Sequence, residues 1–380
     1  MSLNMPDSIY HHNSQEELAQ FVADNATNAK RPLLPIGGRS ACRNATVDDA
    51  IEVQLDKLNR VIDFPARDMT ITVEAGIRMA DLAKILKAEN QRLPIDVPQA
   101  EQATLGGVIA SNWSGPRRFG CGTMRDYVIG ISAIDVTGRQ FKAGGRVVKN
   151  VAGYDLCKLL VGSHGTLAII TQVTLKLRPC LETSSLVWMA FDSLKQIDAA
   201  VARVLNGATR PIAMEVLNST AARTVRPQTA AATSPVLCVG FEGTERETQW
   251  QAETLITECR PFEPRSEETL AGPAADPLWN ALTDFPIATT ARTFKANCLP
   301  SQTLDLLQRA TDLGISVKAH AGNGIVWGHW PSGSSATAQL EGMNEPRSWE
   351  DLGPSGVWMQ RVKQQLDPLN LLKPGCLPVP

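Results

Sequence analysis

Two adjacent glycines, an arginine and a serine (Gly37–Ser40) directly follow the apolar run 33–36. Glycine pairs occur where the backbone turns with φ > 0 or where another group approaches its N–H donors. The loop therefore has the composition of a backbone nest for a phosphate. An ordinary loop after a buried strand stays the alternative, because a short glycine-rich loop is a weak signal by itself.

The common nucleotide-binding fingerprints are absent from the sequence. It contains no GxxxxGK[ST], and no GxGxxG stands between a strand and a helix; the glycines of "GNGIVWG" at 322–328 have the wrong spacing. A phosphate-bearing ligand would need further glycine turns along its length. The chain offers these at Gly106, Gly107, Gly115, Gly120, Gly122, Gly162 and Gly165.

Composition narrows the class of protein. The 380 residues are 43% apolar with a net charge of −2, which predicts two domains and no nucleic-acid or anionic-membrane partner. The N-terminus lacks a basic flank before an apolar stretch, and no apolar run is long enough to span a membrane, so we expect a soluble, cytoplasmic protein. The eight cysteines are scattered, which argues against iron–sulfur, structural zinc and disulfide frameworks within this chain.

Hydrophobic periodicity predicts alternating helices and strands around the glycine loops. Ser14–Glu17 is a capping box, and apolar residues at 79, 82, 85 and 86 share one helical face. The predicted helices are 15–25, 79–89, 104–111 and 154–160. The predicted strands are 33–36, 51–55, 61–64, 69–73, 127–136, 140–142 and 166–177. This alternation indicates an α+β fold.

A different series follows Pro179. Its β-α-β-β-α-β order predicts a second antiparallel sheet with helices on one face. The predicted strands are 186–191, 212–217, 236–241, 290–298 and 316–320, and the predicted helices are 194–205, 245–258, 277–282 and 304–313. Segments 220–235 and 330–347 are predicted as loops.

Five motifs together resemble one family. "PIGGRS", "ATLGGVIASN", "GPRRFGCGTMRD", "VKNVAGYDLCKLLVGSHGTLAIITQVTLKL" and "LDPLNLLKPG" occur in the order seen in the FAD-binding superfamily of vanillyl-alcohol oxidase and p-cresol methylhydroxylase (PCMH). Within it, the chain resembles the FAD-binding E subunit of bacterial glycolate oxidases. The resemblance is close over residues 15–180 and otherwise covers only the ends of the second domain. "VKNVAGYDL" is its most specific element.

The resemblance implies the domain organisation. A PCMH-type FAD-binding domain of two α+β subdomains would span 1–180. A smaller α/β domain, with an antiparallel sheet covered by helices, would span 181–345. Residues 346–380 would form a C-terminal helix and tail that return to the FAD domain.

The resemblance also implies which residues hold the cofactor. They are Pro35, Ile36, Gly37, Gly38, Arg39, Ser40, Thr104, Leu105, Gly106, Gly107, Ala110, Asn112, Gly120, Gly122, Arg125, Asp126, Gly162, Gly165 and Ile170. Arg39 stands where some relatives carry the histidine that bonds to flavin, which implies non-covalent FAD. A surface cation is the alternative for Arg39, and a small buried thiol is favoured over a flavin linkage for Cys121.

Several other polar residues have either a ligand-binding or catalytic role or a purely structural one. Arg117, Arg118 and Arg125 suit a phosphate or a substrate carboxylate, or else form salt bridges, with Arg125–Asp126 the expected pair. The polar pairs at 149–150 and 154–155 would either form a hydrogen-bond network that fixes the turn between them or take part in catalysis. His164 is expected to be exposed.

"HAGNGIVW" at 320–327 departs from the pattern of related D-lactate-type dehydrogenases, which carry H-x-G-D-G-N-x-H and a later acidic and histidine motif. Asn323 replaces the acid, Trp327 replaces the second histidine, and no E-x-E-H follows. We therefore expect no metal. His320 is the catalytic candidate, as a base near the flavin.

These implications predict an FAD-binding subunit of a heteromeric glycolate oxidase (dehydrogenase), which converts glycolate to glyoxylate. A second FAD subunit and an iron–sulfur subunit would be partners, because this cysteine pattern cannot build a second redox centre. Any membrane association would be peripheral, through those partners. The alternatives are a self-sufficient FAD-dependent 2-hydroxy-acid or alcohol dehydrogenase, and a non-catalytic assembly subunit. Glycolate and D-lactate stay open, because one methyl group changes discrimination by only about 1–3 kcal/mol.

Overall fold

The computed structural model describes residues 9–40, 47, 49–145, 154–227, 233–287, 293–331 and 353–376. The strands in chain order are β1 (Ile9–His11), β2 (Leu33–Ile36), β3 (Ile51–Gln54), β4 (Val61–Asp63), β5 (Thr70–Glu74), β6 (Gln91–Arg92), β7 (Val128–Ile134), β8 (Gln140–Gly144), β9 (Ile169–Lys176), β10 (Arg178–Pro179), β11 (Thr183–Ala190), β12 (Ala213–Leu217), β13 (Val236–Gly243), β14 (Ser266–Ala271), β15 (Thr293–Asn297), β16 (Ser316–His320) and β17 (Ile325–His329). The α-helices are α1 (Gln15–Thr27), α2 (Met79–Ala88), α3 (Leu105–Ser111), α4 (Arg118–Cys121), α5 (Met124–Tyr127), α6 (Leu156–Leu160), α7 (Leu194–Leu205), α8 (Ser219–Val225), α9 (Glu245–Cys259), α10 (Asp276–Asp284), α11 (Thr303–Asp312) and α12 (Pro354–Leu366).

Contacts divide the chain into two compact units. The first comprises Met1–Trp113, Thr123–Cys180 and Pro346–Pro380; the second comprises Ser114–Gly122 and Leu181–Glu345. Residues 114–122, which the sequence assigned to the first domain, therefore belong to the second unit. Gly120 donates its N–H to the Ile212 carbonyl at 3.0 Å, and a Cβ on Gly120 would lie 2.6 Å from Ile212 Cα. Only a glycine allows this approach.

The first unit contains two main sheets. One is a parallel sheet of order β1-β3-β2, and the other is an antiparallel sheet of order β4-β5-β9-β7-β8. Leu18 of α1 is buried in the same apolar cluster as Val53 of the parallel sheet. Leu82 of α2 and Ile109 of α3 are buried together with Val173 of the antiparallel sheet. The loops at the ends of these elements form the cleft described below.

The second unit is built on a seven-stranded antiparallel sheet of order β14-β11-β13-β12-β16-β17-β15. Along β11, Val187 and Met189 join the cluster formed with α7, α9 and α11, whereas Leu186 and Trp188 join the cluster formed with α8 and α10. Helices therefore cover both faces, and the prediction of one covered face was wrong. The continuous apolar run of β11 is typical of a strand buried on both sides.

Besides the short helix α4, which was not predicted, three elements of the second unit differ from the sequence prediction. The segment predicted as a loop at 220–235 contains α8, whose cap Asn218 accepts the Ala221 N–H at 3.0 Å. Strand β14 was missed because it is a polar edge strand with mostly exposed side chains. Strand β17 was missed because it follows a glycine turn. The predicted loop 330–347 lies almost wholly outside the described residues.

None of the helices in the described part of the chain is long and apolar enough to cross a membrane.

Candidate functional site

A cleft of about 740 Å³, including space open to solvent, lies within the first unit. Its walls come from the loop after β2, from α3, from the turn before β9 and from the C-terminal tail. The lining residues that the sequence had selected are Pro35, Ile36, Gly37, Gly38, Arg39, Ser40, Thr104, Gly106, Gly107, Ala110, Gly165 and Ile170. The sequence had not selected the other lining residues, Leu55, Ser111, His164, Ala168 and Lys373.

The glycine pair is required by close packing. A Cβ on Gly37 would lie 2.0 Å from Thr104 Oγ1, and a Cβ on Gly38 would lie 1.5 Å from the Gln102 carbonyl oxygen. The residue of this loop with positive φ (56°) is Arg39. The pair thus lets the loop approach segment 102–104, so that both line one cleft.

Backbone hydrogen bonds fix the opposite wall of the cleft. Gly162 donates to Ile109 at 3.0 Å and His164 donates to Ala110 at 2.8 Å, which ties the turn to the end of α3. His164 and Gly165 both have positive φ, at 53° and 75°. His164 is half-buried and lines the cleft, so the expectation that it is exposed was wrong.

The remaining predicted cofactor residues do not line this cleft. Leu105 is fully buried in the core, and Asn112 and Gly162 lie beside the cleft at the end of α3. Gly120 and Gly122 belong to the second unit.

Arg125 and Asp126 are exposed in the first unit. Asp126 accepts the Thr123 N–H at 2.7 Å and its hydroxyl at 3.0 Å, in a capping box that replaces the expected contact with Arg125. Asp155 caps α6, and Tyr154 is 94% exposed. The residues Lys149 and Asn150, with most of the "VKNVAGYDL" motif, lie outside the described residues.

The chemistry of the cleft fits FAD. The cofactor carries an anionic diphosphate, which needs converging N–H donors and cations, and the lining residues include Arg39, His164 and Lys373 but no acidic side chain. Arg39 forms an ion pair with Glu52. Beside the cleft, Asn112 Oδ1 and Ser163 Oγ are buried and find no hydrogen-bond partner among the described residues. A polar ligand would satisfy such groups.

A second cluster of titratable groups lies on one face of the second unit's sheet. Glu215 of β12 pairs directly with His320 of β16, and Glu215 Oε1 lies 2.5 Å from His320 Nδ1. Lys318 Nζ donates to Glu215 Oε2 at 2.6 Å. All three side chains are buried.

The environment sets the protonation of this cluster. Burial lowers the pKa of His320, the charges of Lys318 and Arg118 act in the same direction, and Glu215 opposes them. Burial would raise the pKa of Glu215, but the attraction of His320 and Lys318 and their hydrogen bonds hold it below its usual value. The arrangement is therefore a carboxylate paired with Lys318 and a neutral imidazole that donates its Nδ1–H. His320 Nε2 is left as a proton acceptor.

Cations extend this face towards the sheet edge. Trp327 of β17 pairs with Lys318 on one side and Lys295 on the other, and Lys295 Nζ lies 5.8 Å from the Trp327 ring centre. Burial lowers the pKa of Lys295, and the charge of Arg118 adds to this effect. Two cations that repel one another favour binding of an anion between or beside them.

The neighbouring Arg117 is engaged elsewhere in the second unit. Its Nε donates to Glu242 at 2.6 Å, and its guanidinium lies 3.8 Å from the Trp279 ring centre. Of the two roles predicted for Arg117, the structure therefore favours the salt bridge over binding of a phosphate or a substrate carboxylate. The residues the structure describes contain no group of three or more His, Cys, Asp or Glu side chains that could hold a metal ion.

Comparison with protein families bears directly on this architecture. A model described as an FAD binding domain matches residues 6–144, and a model described as the C-terminal domain of FAD linked oxidases matches residues 181–295. The chain is thus an FAD-linked oxidoreductase, and FAD is its cofactor. More specifically, it belongs to the family of oxidases with a PCMH-type FAD-binding domain.

The chain is similar to curated proteins with several activities. A mitochondrial D-lactate dehydrogenase [cytochrome] of Arabidopsis thaliana is 26% identical over 99% of this chain and 74% of its own length. Glycolate oxidase subunit GlcE of Escherichia coli is 38% identical over 43% of this chain, and subunit GlcD of Bacillus subtilis is 29% identical over 57%. The match spans 46% of each of these two bacterial proteins.

The solved structure of an alkyldihydroxyacetonephosphate synthase superimposes with a TM-score of 0.69 over 96% of this chain and 76% of its own. At 17% sequence identity this similarity establishes the fold alone.

Proposed function

We propose that this chain is the FAD-binding subunit of a heteromeric glycolate oxidase (dehydrogenase) and takes part in the oxidation of glycolate to glyoxylate. The observation that carries the proposal is the neutral His320, fixed through Nδ1 by Glu215, on a sheet face that also holds Lys295. A base and cations are what oxidation of a 2-hydroxy carboxylate requires.

The chain's own residues would divide the work as follows. His320 Nε2 would accept the proton of the substrate hydroxyl, because burial keeps the imidazole neutral. Arg118 and Lys295 would attract the carboxylate. Bound FAD would supply the acceptor for the hydride of the α-carbon. The hydride carries both electrons, and the α-carbon is left as a carbonyl carbon.

The reduced flavin must pass its electrons to a further redox centre, and the cysteines of this chain favour an iron–sulfur partner for that step. The free cysteines of the described residues are dispersed, and burial raises the pKa of Cys157 to about 11 and of Cys259 to about 12. Thiols of this kind are poor metal ligands because the thiolate is the ligand. A second flavin subunit and an iron–sulfur subunit would complete the electron path, as the resemblance to the E subunit of bacterial glycolate oxidases implies.

A self-sufficient dehydrogenase for D-lactate or a similar 2-hydroxy acid is the second candidate. The Arabidopsis D-lactate dehydrogenase favours it, because its similarity extends over 99% of this chain, including both units. The sheet face with His320 and Lys295 suits either substrate, since glycolate and D-lactate share the carboxylate and the hydroxyl.

One spectroscopic experiment separates these functions. The purified chain is supplied with FAD, and its visible spectrum is followed under anaerobic conditions before and after addition of glycolate or D-lactate. Bleaching of the isolated chain would support oxidation of the substrate by its own residues and FAD. Assembly with co-expressed D and iron–sulfur subunits of a bacterial glycolate oxidase would then support the heteromeric enzyme, and failure to assemble with them would favour the self-sufficient dehydrogenase. If the purified chain does not take up FAD, the remaining function would be that of a non-catalytic assembly subunit.

A further inference from the structure

The C-terminal tail supplies part of the cofactor cleft. Beyond α12, residues 371–373 run parallel to β2: Leu33 donates to the Leu371 carbonyl at 2.6 Å, and Lys373 donates to the Leu33 carbonyl at 3.0 Å. This pairing delivers Lys373 to the cleft, where its side chain lies against Gly165. Lys373 is only 4% exposed.

A buried ion pair fixes the tail at this place. Lys363 of α12 is paired with Asp367, and its Nζ also donates to the carbonyls of Thr166 at 2.8 Å and Leu372 at 2.7 Å. Asp367 in turn accepts the N–H groups of Leu371 at 3.0 Å and Leu372 at 2.8 Å. One lysine thus joins α12, the turn of the cleft wall and the tail.

The charge balance of the cleft indicates what Lys373 binds. Arg39, another cation of the lining, forms an ion pair with Glu52, and the described lining residues include no acidic side chain. A largely buried lysine such as Lys373 interacts more strongly with an anion than an exposed lysine does. The diphosphate is the anionic part of FAD.

We propose that Lys373 is a cofactor-binding residue that pairs with the diphosphate of FAD, and that Lys363 and Asp367 are positioning residues that hold it there. This assignment concerns the cofactor alone and holds for either 2-hydroxy-acid substrate. It makes the C-terminal tail part of the FAD site, although the tail is more than 200 residues from the nearest other cleft residue in sequence.

The test is a titration of the FAD-free full-length chain with FAD and, separately, with ADP, followed by flavin fluorescence and by competition. We expect Lys373→Gln to weaken both ligands at least 10-fold, and Lys373→Arg to stay within about threefold of the unmodified chain, because arginine keeps the charge. The exposed Lys142→Gln is the matched control and should change neither affinity. Asp367→Asn should also weaken FAD binding, because the tail that holds Lys373 at the cleft would lose this anchor.

Three results would overturn the proposal. The first is an unchanged affinity for both ligands in a folded Lys373→Gln chain. The second is an unchanged ADP affinity together with a shifted flavin midpoint potential, which would assign Lys373 to the flavin ring. Loss of affinity in the Lys373→Arg chain as well would show that the lysine acts through packing, and this too would refute the pairing with the diphosphate.

Discussion

Glu215 and His320 oppose each other across β12 and β16, and the carboxylate holds the imidazole by Nδ1. This contact selects the tautomer whose Nε2 accepts a proton. We therefore expect His320→Gln to slow reduction of the bound flavin by a 2-hydroxy acid at least 100-fold, in the range of a lost general base. Stopped-flow absorbance of the complete, FAD-loaded enzyme measures this rate. FAD affinity is the control and should not change, because the cleft lies in the other unit; reduction at the normal rate would exclude His320.

The same histidine should make stability depend on pH. Burial lowers the pKa of His320, His12 and His329 in the folded chain, whereas the unfolded chain titrates near the ordinary value of about 6.5. Below that pH the unfolded state binds more protons, so the free energy of unfolding should fall as the pH drops from about 7 to 5. Urea unfolding at a series of pH values measures the slope.

His320→Gln removes one of these three buried histidines from the titration. The decline between pH 7 and 5 should therefore be shallower in the variant than in the unmodified chain. Equal slopes in the two chains would show that His320 does not resist protonation in the folded state.

The contact between Gly38 and segment 102–104 gives a third prediction. A Cβ at Gly38 would lie 1.5 Å from a backbone oxygen, so Gly38→Ala must displace one wall of the cleft. We expect FAD affinity to fall at least 10-fold and stability to fall by about 1–3 kcal/mol, as for other overpacked sites. Gly145→Ala is the matched control, because a Cβ there would meet no other described residue within 4 Å. If both variants bind FAD equally well, the glycine pair does not shape the site.

The substrate carboxylate provides a fourth prediction. Lys295 is partly buried, and its pKa is lowered by burial and by the charge of Arg118, so an anion beside it would be stabilised. Lys295→Met should raise KM for the 2-hydroxy acid about 10-fold or more, with a smaller change in kcat. The exposed Lys195→Met serves as the control. An unchanged KM in the Lys295 variant would place the carboxylate elsewhere.

Local signals in the sequence predicted the elements that form most of the cleft. The apolar run 33–36 became β2, the capped small-residue segment after Thr104 became α3, and the glycines between them line the cofactor site. These features depend on neighbours within a few positions, where periodicity and capping are informative.

The sequence did not predict the residues that long-range pairing brings to the sites. Lys373 reaches the cleft because the tail pairs with β2, and Glu215 meets His320 because their strands are adjacent in the sheet. Neither register is visible in a local pattern. The charged side chain of Glu215 within an apolar strand was the available signal, since a buried carboxylate needs a partner.

The attachment of the flavin gives the last prediction. Arg39 stands in the loop where some relatives of this family carry the flavin-linked histidine, and a guanidinium forms no such bond. Acid precipitation of the FAD-loaded chain should therefore release all flavin colour into the supernatant. Colour retained in the pellet would contradict non-covalent binding. His164 lines the cleft, so mass spectrometry of the peptide that contains it, compared with a His164→Gln chain, would then locate the linkage.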